Sequence, residues 1–111
     1  MLYLIIGLFA LAAVLGIIIF KNWLTSANTP RTVVYLHGIF AAIALVLLLV
    51  IALQQGVKSL QTAVVLFVIA ALGGIYMFVR DLRGKFSPTW LAAVHGLLAV
   101  AGFLVLIFYI V

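Results

Sequence analysis

The chain has 111 residues, of which 70% are hydrophobic and 6% charged, with six basic side chains against one acidic. A soluble globular domain carries about 25% charged residues, so this composition excludes one, and the length allows a single domain at most. The net charge of +5 would suggest a nucleic-acid partner in a soluble protein. Its confinement to short segments between apolar runs makes it a topology signal instead, and no nucleic acid is expected.

The first apolar run, Leu2–Phe20, lacks a basic leading segment and exceeds the roughly 7–15 residues of a secretory signal's core, so it reads as a retained membrane helix. Lys21 and Arg31 flank the following loop, which ends in Thr29-Pro30. The second run, Val33–Leu53, carries His37-Gly38, and only Lys58 marks the loop after it. The third run is Leu60–Val79; behind it come Arg80, Asp81, Arg83 and Lys85, then Ser87-Pro88. The fourth, Trp90–Val111, carries His95-Gly96.

Basic residues concentrate on the cytoplasmic side of a membrane. Loops 21–31 and 80–88 are therefore expected inside, both termini outside, in a bacterial cytoplasmic membrane. Trp23 and Trp90 then mark the inner interface, and Tyr3 and Tyr109 the outer one. Tyr35 and Tyr76 lie nearer the histidines, where packing is their expected role.

A shift of 58 residues lays the second half of the chain on the first. It superposes Phe9/Phe67, Ala12/Ala70, Gly16/Gly74, Pro30/Pro88, His37/His95 and Gly38/Gly96. Leucine and alanine matches mean little in this composition. The chain's two prolines and two histidines all obey the offset, and they carry the inference of an internal repeat. The expected fold is all-α: a four-transmembrane-helix bundle of two duplicated helical hairpins, one domain over 1–111 with repeats at 1–53 and 59–111. Two spans per repeat give both copies the same orientation, which makes helices two and four parallel.

Thr29 and Ser87 have the chemistry of N-caps, with proline at the first helical position. Each histidine follows its proline by seven residues, about 10 Å along a helix at about 1.5 Å per residue. That depth lies inside the hydrocarbon, where an ionisable side chain signals function. Small residues share its face: Ala41 and Ala44 beyond His37, Ala99 and Gly102 beyond His95, with Gly16 and Gly74 at the same level on the neighbouring helices.

Two imidazoles amid small residues suit a flat macrocycle. The expected cofactor is one haem b per chain, its iron held by His37 and His95, with Gly16, Gly38, Ala41, Ala44, Gly74, Gly96, Ala99 and Gly102 around it. A closed zinc site wants four nitrogen, sulfur or carboxylate ligands, which the chain does not offer. With no cysteine, iron–sulfur clusters and c-type haem are excluded. The second ring nitrogen of each histidine should donate to a carbonyl one turn back, that of Val33 or Leu91. Arg31, Arg80 and Arg83, with Lys21 and Lys85, are the cations for the propionates.

Through His37-Gly38 and His95-Gly96 on two helices of a bundle, the chain resembles the four-helix membrane cytochromes b. These include the haem-bearing anchor subunits of succinate dehydrogenase and the small diheme ascorbate-type cytochromes. The likeness is one of architecture more than sequence. Diheme relatives carry four ligand histidines and this chain has two, so one haem is the maximum. The resemblance implies electron transfer as carrier or redox subunit rather than stand-alone enzyme, with lipid around it and a quinone, another redox protein or a second copy as partner. The alternative is a non-redox assembly subunit or small transporter-like bundle whose histidines bond between helices. The small multidrug resistance transporters are a poor fit, because helix one lacks their embedded carboxylate.

Overall fold

A computed structural model describes residues 1–111. It contains four α-helices and no strand: α1 (Leu2–Leu24), α2 (Arg31–Gln55), α3 (Lys58–Leu82) and α4 (Thr89–Ile110). All four are long and apolar enough to cross a bilayer, and the protein is an integral membrane protein. The chain divides into two compact units, Met1–Gln55 and Gly56–Val111. Each is a helical hairpin, α1 against α2 and α3 against α4.

The helices run past the apolar stretches. α1 continues through Lys21 to Leu24 and α3 through Arg80 to Leu82, because long basic side chains reach water from a helix whose stem stays in lipid. Their charges also suit the negative end of the helix dipole. The starts of α2 and α4 differ from expectation. The N-cap of α4 is Pro88, with φ −61° and ψ 144°, and no side chain caps it. Its carbonyl accepts from the amides of Leu91 and Ala92, as that of Pro30 does from Val33 and Val34. Proline thus occupies the cap itself, one residue ahead of the first helical position. Thr29 is drawn away by a hydrogen bond from Asn22, and Ser87 Oγ has no partner.

Within each hairpin the buried residues fall at helical spacing and repeat between units. Ile5, Phe9 and Ala12 of α1 pack with Ala44, Leu48, Ile51 and Ala52 of α2. Leu60, Ala63, Phe67 and Ala70 of α3 pack with Gly102 and Leu106 of α4. Lipid gives no hydrophobic drive for this association, so close contact and interhelical hydrogen bonds must supply it. Small residues permit the approach. A Cβ on Gly102 would lie 2.9 Å from the Phe67 ring, so the space at Gly102 is already filled by that ring.

The loops closing the hairpins share a Schellman turn. Lys85 N–H donates to the Arg80 carbonyl at 2.9 Å, and Ala27 N–H to that of Asn22 at the same distance. The residue before each donor must adopt a left-handed backbone: Gly84 has φ 70° and Ser26 φ 57°. Glycine does so freely, whereas an L side chain loses about 1–2 kcal/mol. Ser26→Gly should therefore stabilise the protein by about 1 kcal/mol, read as a higher denaturant midpoint in detergent. An unchanged or lower midpoint would count against this reading of the turn.

Candidate histidine site

Helix two places His37 two turns before Ala44, on the stripe that faces α1. Its imidazole is half-buried, and Nδ1 lies 2.7 Å from the carbonyl oxygen of Ala12. In the second hairpin His95 Nδ1 lies 2.6 Å from the carbonyl oxygen of Ala70. Both bonds join residues 25 apart in sequence. The acceptor differs from the expected Val33 and Leu91. The rings lean across to the partner helix, instead of back along their own.

The local sequence explains why those carbonyls are available. Side chains on a helix tilt toward its N-terminus, so the residue at i+4 covers the carbonyl of residue i. At i+4 from Ala12 and Ala70 stand Gly16 and Gly74, and the carbonyls lie bare. The imidazoles occupy the space this leaves. A Cβ on Gly16 would fall 2.9 Å from Cε1 and 3.3 Å from Nδ1 of His37; on Gly74 the distances to His95 would be 2.9 and 3.4 Å.

The chemistry follows from the acceptor. A carbonyl oxygen only accepts, and its second lone pair remains available while the first serves the helix. Nδ1 must therefore carry the proton in both histidines, and a neutral ring keeps its lone pair on Nε2. Each hairpin thus presents an oriented imidazole whose Nδ1 proton is held by backbone. Metal-ligating histidines have this arrangement, since they donate the other ring N–H to a carbonyl or carboxylate.

The remaining expected site residues are distributed as follows. Gly16 and Gly74 seat the imidazoles. Ala44 is fully enclosed and Gly102 buried, both packed inside their own hairpins. Ala41 and Ala99 are partly covered; Gly38 and Gly96 have no atom near where a side chain would start. Arg31 and Arg83 are exposed. Arg80 is committed locally, with Nη2 donating to the Phe86 carbonyl at 2.6 Å and its guanidinium 5.7 Å from the Tyr76 ring centroid. No three residues among His, Cys, Asp and Glu come together.

Sequence reasoning missed the acceptors Ala12 and Ala70, although Ala12-x-x-x-Gly16 and its repeat Ala70-x-x-x-Gly74 were legible as a bare-carbonyl signal. No family model, curated protein or solved structure matches the chain.

Proposed function

We propose that the protein is a membrane b-type cytochrome, similar to the four-helix cytochromes b, that binds one haem b through His37 and His95 and passes electrons within the bilayer. The observation that carries this reading is the matched pair of Nδ1–carbonyl bonds. It readies the same nitrogen, Nε2, as donor in both repeats, without burying a charge. Haem fits a chain with two such donors because the porphyrin supplies four of the six iron ligands. When bound, it would supply a one-electron couple suited to electron transfer.

The protein's own residues orient and insulate. Ala12 and Ala70 hold the rings, Gly16 and Gly74 make room for them, and the apolar helices exclude water. Arg31 and Arg83 are the exposed cations suited to propionates at that end of the helices. We place loops 21–31 and 80–88 in the cytoplasm, because five of the six basic residues flank them. Reporter fusions should be cytoplasmic near Ala27 and external at the C-terminus; the reverse would overturn this orientation. A quinone or another redox protein completes the electron path.

The deciding experiment is an absorption spectrum of protein purified in detergent from haem-replete cells. A sharp Soret band, split bands on reduction and one haem per chain are expected. Colourless protein that takes up no haemin would remove the proposal. The second reading is then favoured by the same seat: a non-redox subunit whose histidines latch each hairpin by an interhelical hydrogen bond.

A further inference from the structure

The two loops on the histidine side share a frame but end differently. In the first hairpin the Asn22 side-chain amide donates to Thr29 Oγ1 at 3.1 Å, tying the end of α1 to the segment entering α2. The equivalent positions in the second repeat are Arg80 and Ser87. No such bond forms there. Arg80 Nε and Ser87 Oγ are both sealed from solvent without a hydrogen-bond partner, although Arg80 Nη2 is held by the Phe86 carbonyl. Ser87 is only 5% exposed.

A buried donor left unpaired carries its full desolvation cost, and more when it is charged. A guanidinium N–H can only donate, and a seryl hydroxyl can donate as well. What the loop lacks is an acceptor, and an anionic one answers a cation best. The opening amides of α4, just past Pro88, add further donors at the same end. Arg80, Arg83 and Lys85 outweigh the one carboxylate, Asp81, in this loop. Phe86 and Trp90 are exposed by 82% and 66%, as aromatic side chains at headgroup level are. The abundant oxyanion at that level is a lipid phosphate.

We propose that Arg80 Nε and Ser87 Oγ, with the start of α4, bind the phosphate of an anionic phospholipid. The guanidinium turns outward to admit it and exchanges the Phe86 carbonyl for an anionic oxygen. Hairpin one has no such site, because its amide and hydroxyl satisfy each other. The proposal is independent of haem.

The test uses the full chain in neutral detergent, with phosphatidylglycerol, phosphatidylcholine or inorganic phosphate added and retention read by native mass spectrometry. Phosphatidylglycerol should be retained in preference to phosphatidylcholine. Its affinity should fall about tenfold in Arg80→Gln and in Ser87→Ala, as loss of a charge-assisted bond implies. Arg80→Lys should fall as far, since it keeps the charge but lacks Nε, whereas diffuse attraction to a basic loop would survive it. Lys58→Gln, at the opposite end of α3, should change retention little. Equal retention by wild type and Ser87→Ala, a change too small to unfold the chain, overturns the site. Displacement of the lipid by millimolar inorganic phosphate overturns the lipid as its ligand.

Discussion

Protein carrying His37→Ala should emerge from haem-replete cells without the low-spin spectrum, and His95→Ala should do the same. Each hairpin offers one imidazole with Nδ1 fixed on a carbonyl, so neither repeat holds a spare ligand. With a single remaining histidine, bound haem would lack its second imidazole, which would broaden and shift the Soret band even where some haem stays. The measurement is a reduced-minus-oxidised spectrum with haem quantified per chain. Loss in only one variant would mean that a partner supplies the other ligand, and no change in either would sink the assignment of both. The fold should survive: an interhelical hydrogen bond in a membrane is worth about 0.6–2 kcal/mol, a modest part of the total.

Gly16→Leu and Gly74→Leu should have the next largest effect, without removing any ligand. Even a single Cβ would fall 2.9 Å from the imidazole, closer than such contacts allow, and the rest of a leucine cannot fit. The ring must leave the carbonyl, and the tautomer is no longer fixed. Loss of such an orienting partner typically costs about 10–100-fold in metal affinity. Haemin titration should show that loss. 15N NMR of haem-free protein should show Nδ1 protonated in wild type and mixed tautomers in the variant. If Nδ1 stays protonated and affinity holds in Gly16→Leu, the glycine seat is not what positions His37. Gly7→Leu is the control, because nothing lies within 4 Å of where its Cβ would begin.

Much of this was readable in the letters. Hydropathy located four helices, and two prolines and two histidines in one frame revealed the repeat. The helix ends were less legible, because Lys21 and Arg80 look like boundaries yet sit inside helices whose last turns reach the interface. Thr29 looked like a cap but is taken by Asn22, a choice that depends on how the loop folds. The acceptors of the histidine bonds are backbone atoms, which no residue letter names. They had to be inferred from what is absent four residues later. Gly102 had the look of open space, but the Phe67 ring fills it.

The span of the histidine bonds also bears on how the protein is made. Each closes over 25 residues and lies wholly within one hairpin. The first needs nothing beyond α2, so it can form before α3 has emerged from the ribosome. Chains tend to fold unit by unit from the N-terminus, and short-range closures form early. Each pair of helices can therefore enter the bilayer with its imidazole already matched, so that the insertion machinery need not release an unpaired one into lipid.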